Sequence, residues 1–121
     1  MRIIGGNNAG LRINPTKLKL RPTTDRSKEG LFNILYNKVD YYSVSVLDLF
    51  SGTGNISYEF ASRGAKSVYA IEKNNKSVEF IKNFSKKNNF GINVIRKDVF
   101  SFIKQTNMSF DVIFADPPYD I

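Results

Sequence analysis

Asp116-Pro117-Pro118-Tyr119 follows directly on Phe110-Asp111-Val112-Ile113-Phe114-Ala115, a run that reads as a buried β-strand. A carboxylate, two rigid prolines and an aromatic ring at a strand's carboxyl end form a compact grip for a planar amine. The exocyclic amine of a purine is a poor nucleophile because its lone pair is delocalised into the ring. If the Asp116 carboxylate and the carbonyl of Pro117 or Pro118 each accept one amine hydrogen, the nitrogen pyramidalises. Its lone pair then turns toward an electrophile. The prolines fix φ and hold these acceptors in place, so little reorganisation is needed as charge develops. Tyr119 offers a face for stacking an extruded base, worth about 1–3 kcal/mol.

Three further strand ends carry polar signals. The first reads Asp48-Leu49-Phe50-Ser51-Gly52-Thr53-Gly54-Asn55. Gly52 and Gly54 allow a sharp turn and close approach to bare backbone, and the helix that follows presents unpaired N–H groups. A plain strand-to-helix turn is the simpler reading of the glycines, but Asp48 has little structural reason to be there and suits a ligand's ammonium. The second strand ends at Glu72, 18 residues after Gly54. That is near the spacing at which dinucleotide-binding folds place an acid on ribose hydroxyls, although a helix N-terminus also favours an acid. The third ends at Arg96-Lys97-Asp98-Val99, where Asp98 either accepts from an adenine amine or caps the next helix. Together the three acids outline a ligand with an ammonium, a ribose and an adenine. Ser57 stands where a dinucleotide fingerprint wants a third small residue, and Asp48 would face a pyrophosphate unfavourably. S-adenosyl-L-methionine, which has no phosphate, fits better than a nicotinamide dinucleotide.

The elements that must position these residues are legible as alternation. Strands are expected over residues 44–50, 67–71, 92–96 and 110–115. Helices are expected over 25–38, with Leu31, Phe32, Ile34 and Leu35 on one face, and over 55–63, closed by Gly64. Two more fall over 73–88, with Val78, Ile81 and Phe84 inward, and over 99–105. Short apolar strands joined by helices imply a doubly wound α/β domain with a parallel sheet, binding ligands beyond the strands' carboxyl ends. Residues 1–20 read as a small β-hairpin region with turns at Gly5-Gly6-Asn7-Asn8, and Pro22 and a threonine N-cap precede the first helix. We therefore expect one domain over 1–121, with a basic arm over 1–24 and a cofactor-binding core over 25–121.

Composition narrows the chemistry. The 121 residues contain no Cys and no His, so Ser-His-Asp, Cys-His and thiolate or imidazole metal systems are excluded, and no metal is expected. No run approaches a membrane span and there is no signal-peptide pattern; the absence of cysteine fits a cytoplasmic protein. The net charge of +7 is uneven: residues 1–38 carry +6 and the remainder +1. Arg2, Arg12, Lys17, Lys19, Arg21, Arg26, Lys28 and Lys38 supply the basic residues, so a polyanionic partner is expected.

Residues 48–54 and Asp116-Pro117-Pro118-Tyr119 resemble the class I S-adenosylmethionine-dependent methyltransferases that act on exocyclic amines. Met1-Arg2-Ile3-Ile4-Gly5-Gly6 and the stretch from Arg21-Pro22-Thr23-Thr24-Asp25-Arg26 to Leu31-Phe32-Asn33-Ile34-Leu35 are similar to the bacterial 16S ribosomal RNA guanine-N2 methyltransferases of the RsmD type. The resemblance implies methyl transfer to the N2 amine of a guanine in 16S ribosomal RNA, within 30S particles. It implies a Rossmann-like sheet, with Gly52 and Gly54 lining the methionine moiety, Glu72 the ribose and Asp98 the adenine; Phe50, Ser51 and Val99 lie alongside. Asp116, Pro117, Pro118 and Tyr119 would hold the base, Arg21 and Arg26 the pocket entrance, and Arg2, Arg12, Lys17 and Lys19 the RNA phosphates. The family's sheet has seven strands and only four core strands are expected here. A truncated chain, a fragment or a protein completed by another chain is therefore expected, with weak or absent activity of the 121 residues alone and, if truncated, self-association through an exposed sheet edge. Competing readings are an adenine-N6 methyltransferase, a non-catalytic RNA-binding domain and, least favoured, a nicotinamide-dependent oxidoreductase.

Overall fold

The four apolar runs become four parallel strands in the computed structural model, which describes residues 1–15 and 24–117. They are β1 (Ser45–Leu49), β2 (Ser67–Glu72), β3 (Ile92–Arg96) and β4 (Val112–Ala115), in the order β3-β2-β1-β4. The register sets Leu49 level with both Ile71 and Ala115. The winding reverses between β1 and β4, the position at which open α/β sheets bind ligands. This is the Rossmann-like, doubly wound α/β arrangement that the sequence leads one to expect.

Four α-helices connect and cover the strands: α1 (Asp25–Leu35), α2 (Asn55–Ser62), α3 (Asn75–Lys87) and α4 (Val99–Gln105). Alternation along β1 divides the core. Val46 joins Phe32, Ile56, Phe60 and Val68 under α1 and α2, whereas Leu47 and Leu49 join Ile71, Val99 and Phe102 under α4. Thr24, Asn74 and Asp98 cap their helices by accepting from the backbone N–H of Ser27, Ser77 and Ser101 at 3.1, 3.0 and 3.0 Å. Gly64, at φ +96°, closes α2: its N–H donates to Ala61 O and that of Ala65 to Phe60 O.

Two expectations need correction. Helix α1 ends at Leu35 rather than at 38, and Ile34 is 62% exposed. At 3.6 residues per turn the inward stripe is Lys28, Leu31, Phe32 and Leu35, and Ile34 falls off it. Strand β4 starts at Val112 and is only half-buried, with Ile113 61% exposed, because among the described residues it pairs only with β1.

The expected N-terminal hairpin is present as one antiparallel bridge, Arg2 with Arg12, flanked by backbone bonds from Ile3 to Leu11 and from Ile13 to Met1. Residues 16–20 of that expectation lie outside the described residues. Ile3 and Ile13 pack on Tyr58 of α2 and Ile81 of α3, so this segment shares the core of the sheet domain. Gly6, at φ +79°, lies so close to the end of α2 that a Cβ would sit 2.0 Å from Ser62 O.

The tie between this segment and the helices is a buried charge cluster. Glu59 and Lys28 are both fully buried. Glu59 Oε1 accepts from Ile4 N–H at 2.9 Å and pairs with Lys28 Nζ at 3.0 Å. Its Oε2 accepts from Gly5 N–H at 2.9 Å and from Arg63 Nε at 2.8 Å. Burial alone would raise the Glu59 carboxyl; the Ile4, Arg63, Gly5 and Lys28 donors outweigh it and hold the group below its ordinary value. The Arg63 guanidinium also lies 4.7 Å over the Phe32 ring. Removing one member of a buried pair strands the other, which typically costs about 3–5 kcal/mol. Glu59→Ala is expected to destabilise the fold by that amount, read as a lowered urea midpoint; an unshifted midpoint would show that the cluster contributes nothing net.

Candidate ligand site at the carboxyl edge of the sheet

Parallel strands end on the same side, so the residues after β1, β2, β3 and β4 share one edge. Three strand intervals of roughly 4.8 Å make this edge about 14 Å wide from β3 to β4. At its centre is the glycine turn. Phe50 and Gly52 both have φ +57° and Gly54 has φ +85°. A Cβ on Gly54 would meet the Tyr58 ring at 2.6 Å, so this position requires glycine for space as well as for backbone freedom. Phe50 is a non-glycine residue in the left-handed region, where strain is expected. Gly54 precedes α2 and provides no side-chain cap, and the Ser57 N–H of the first turn is taken by the Asp48 carboxylate.

Glu72 fastens this turn to β2. Its Oε1 accepts from Gly52 N–H at 3.0 Å and its Oε2 from Asn74 N–H at 2.9 Å. A carboxylate has roughly four lone-pair positions, so acceptor capacity remains for a ligand hydroxyl. Asp98 stands at the start of α4, exposed, with one oxygen engaged as the cap. Val99 is buried behind it, while Phe100 is 65% exposed and meets Phe50 edge-on at 6.2 Å. Phe100 was not singled out in the sequence, where it reads as one more apolar position of a short helix. Its exposure beside an acidic cap is the telling feature, and only the fold reveals it.

Asp48 differs from the expectation. It is 1% exposed and lies beneath the turn, where its carboxylate accepts from Ser57 Oγ at 2.6 Å. Ser51 Oγ donates to the Asp48 carbonyl, also at 2.6 Å. The reason is parity: Asp48 shares the inward face of β1 with Val46, and α2 covers that face. The four acids therefore do not form one ring. Glu72, Asp98 and Asp116 lie at the edge, with Asp48 enclosed below. Asp116 is exposed and Pro117 half-buried just past β4; Pro118 and Tyr119 lie outside the described residues.

Two concavities lie away from this edge. One is between the N-terminal segment, the end of α2 and the start of β2, lined by Asn7, Asn8, Ala61, Ala65, Lys66 and Ser67 among others. The other is lined by Arg12, Asn14, Phe80, Asn83, Phe84 and Lys87. Of the expected arm residues, Arg2, Arg12 and Arg26 are exposed, and Arg2 lies 3.7 Å from Asp25. Lys17, Lys19 and Arg21 lie outside the described residues. Lys28, counted among the basic residues of positions 1–38, is buried and pairs with Glu59. Among the described residues no three His, Cys, Asp or Glu side chains gather as metal ligands, and no helix is long and apolar enough to cross a membrane.

Burial raises the Asp48 carboxyl from 3.8 to about 7, against the lowering effect of hydrogen bonds from Ser57 and Ser51. The folded state thus takes up a proton that the unfolded chain releases. This contribution to stability is full below 3.8 and is lost as pH rises to about 7. The thermal midpoint is expected to carry a falling component across that window. Asp48→Asn should remove the component and raise the midpoint above the window, and parallel midpoint–pH curves for the two proteins would refute the burial effect.

The family model described as conserved hypothetical protein 95 matches residues 1–121. The chain is 38% identical over 121 residues to the ribosomal RNA small subunit methyltransferase D of Buchnera aphidicola subsp. Baizongia pistaciae, covering 98% of this chain and 61% of that protein. It is 35% identical to the protein of the same name from Escherichia coli K12, covering 98% of this chain and 60% of that one. Among solved structures, the putative methyltransferase yhhF from Escherichia coli superposes with a TM-score of 0.87 at 29% identity, covering 99% of this chain and 65% of that one. The chain thus spans about 60% of the length of these curated relatives.

Proposed function

Because the chain belongs to the conserved hypothetical protein 95 family, that of ribosomal RNA small subunit methyltransferase D, we propose that it forms the S-adenosylmethionine-binding portion of a 16S ribosomal RNA guanine-N2 methyltransferase. The observation that carries this reading is the Glu72 carboxylate, which fastens Gly52 N–H and Asn74 N–H at the edge where Asp116 and Pro117 emerge. The donors and acceptors fit the cofactor. Glu72 has capacity for the ribose hydroxyls, and the bare backbone of the turn at Gly52 and Gly54 ahead of α2 suits close approach of the methionine moiety. Asp98 accepts from the adenine amine, with Phe50, Val99 and the exposed Phe100 as apolar walls, and Ser51 and Gly54 shape the turn. Asp48, enclosed beneath, supports this floor through Ser57 and adds negative potential under the ammonium.

S-adenosylmethionine supplies, when bound, a methyl group on a sulfonium that is already activated for displacement. The protein's task is to present the nucleophile. Asp116 and the Pro117 or Pro118 carbonyl accept the two hydrogens of the guanine amine, which localises its lone pair, and Tyr119 stacks on the base. Positioning is the larger contribution, and Asp116 need not be a strong base. Exposed Arg2, Arg12 and Arg26 meet backbone phosphates, together with Lys17, Lys19 and Arg21. Arg12 shares its groove with Lys87 and the parallel rings of Phe80 and Phe84, a mixture of cations and aromatic faces that suits single-stranded RNA. The partner we propose is 16S ribosomal RNA within 30S particles, in the cytoplasm.

Glu72→Ala is expected to weaken S-adenosylhomocysteine binding by roughly 1.5–3 kcal/mol, measured by calorimetry. In a chain extended to the relatives' length, Asp116→Ala should abolish methyl incorporation into 30S particles while leaving that binding nearly intact. Digestion of the methylated RNA should release N2-methylguanosine; N6-methyladenosine would support the competing adenine reading. Normal rates for Asp116→Ala would overturn the amine-gripping role. Arg12→Ala should lower RNA affinity and flatten its salt dependence with cofactor binding unchanged.

A further inference from the structure

We propose that Lys28 is a positioning residue for the glycine turn and ties the geometry of that turn to the seating of the N-terminal segment; this rests on reading the turn as the cofactor site. Lys28 is fully buried on the inward stripe of α1, far in sequence from both things it holds. Its ammonium has three hydrogens and three partners. Nζ donates to Arg2 O at 2.7 Å, to Asn55 Oδ1 at 2.8 Å and to the Glu59 carboxylate at 3.0 Å. Burial pulls the ammonium below its ordinary pKa, and the hydrogen bond and charge of Glu59 oppose this. Every donor of the group is therefore committed.

The partners belong to different working parts. Asn55 is the first residue of α2, directly after Gly54, so its side chain is attached to the end of the turn. Arg2 is in the N-terminal segment, with its carbonyl on Lys28 and its N–H on Asp25 Oδ1 at 3.1 Å, while its exposed side chain lies 3.7 Å from Asp25 Oδ2. Glu59, besides Lys28, holds Ile4 and Gly5. A polyanion that draws the Arg2 side chain from Asp25 acts on the backbone whose carbonyl Lys28 holds. The tetrahedral ammonium cannot follow Arg2 without disturbing Asn55, because no water reaches it to replace a lost partner. By linkage, ordering the turn with a ligand in turn favours the seated arm.

The test uses Lys28→Met, Lys28→Arg and Asn55→Ala in the 121-residue chain. Affinity for S-adenosylhomocysteine is measured by calorimetry, and amide hydrogen exchange is followed at Ile4, Gly5, Gly54 and Tyr58. Lys28→Met is expected to speed exchange at both places and weaken binding about tenfold, and Lys28→Arg to restore most of both. Asn55→Ala keeps the Glu59 pair, so it should loosen Gly54 and Tyr58 while sparing Ile4 and Gly5. A folded Lys28→Met chain with faster exchange only at Ile4 and Gly5 and unchanged affinity would overturn the proposal, leaving Lys28 as an anchor of the arm alone. Should Lys28→Met not fold, unchanged exchange and affinity in Asn55→Ala would overturn it equally. If the unsubstituted chain fails to bind S-adenosylhomocysteine, the cofactor reading falls, whereas faster exchange at Gly54 in the variants still supports the tie.

Discussion

The Glu59 carboxylate, buried in the middle of α2, is the constraint on which the rest of the molecule depends. It gathers two backbone N–H groups of the N-terminal segment, the ammonium of α1 and the guanidinium four residues along its own helix. A buried charge is tolerated only when its lone pairs are occupied, and these four donors occupy them. The N-terminal segment, α1 and α2 are therefore not independent layers. Each lends a donor that the others cannot replace, and Arg63 extends the arrangement over Phe32 in the hydrophobic core. The helix so anchored is the one that begins at the glycine turn, so charge satisfaction in the middle of α2 also fixes where that turn ends.

At the carboxyl edge, the side chains with structural roles are the same ones that we propose meet the cofactor. Glu72 already holds Gly52 and Asn74, and Asp98 already caps α4. In the sequence these looked like competing explanations for an acid after a strand. They are compatible, because a carboxylate accepts more hydrogen bonds than a cap requires. Holding the carboxylate by backbone N–H groups also fixes its direction, which reduces the ordering needed when a ligand hydroxyl arrives. Asp48 shows the opposite outcome. Its position on the covered face of β1 gives it to Ser57 and the helix above, so its carboxyl serves the floor beneath the glycine turn.

Much of the architecture was legible because local rules dominated it. Apolar runs bounded by turn residues marked the strands, and β3 and α4 have the expected bounds. Gly64 and Thr24 stand where capping chemistry requires them. The departures have a common cause in long-range packing. Ile34 was assigned inward because it is apolar, yet it falls off the stripe of Lys28, Leu31, Phe32 and Leu35 that meets the core, and Lys28 is held on that stripe by its pairing with Glu59. Strand β4 looked buried from its composition, but its half-burial depends on which strands lie beside it. Phe100, which the sequence did not single out, is exposed because the other face of its helix, with Val99 and Phe102, meets the sheet.

What the sequence determined by itself was the order of the elements and the chemistry available at each strand's end, because periodicity, capping and glycine conformation act over a few residues. It also carried the motifs on which the family resemblance rests, residues 48–54 and Asp116 to Tyr119. What only the tertiary structure decided was which acids face the edge and which lie beneath it, and that a lysine of the basic N-terminal third serves as an internal tie. Those outcomes depend on strand parity under a particular helix and on pairing between residues 31 positions apart, Lys28 and Glu59. Desolvation selects such partners only once the chain has closed around them, and no local pattern encodes that closure.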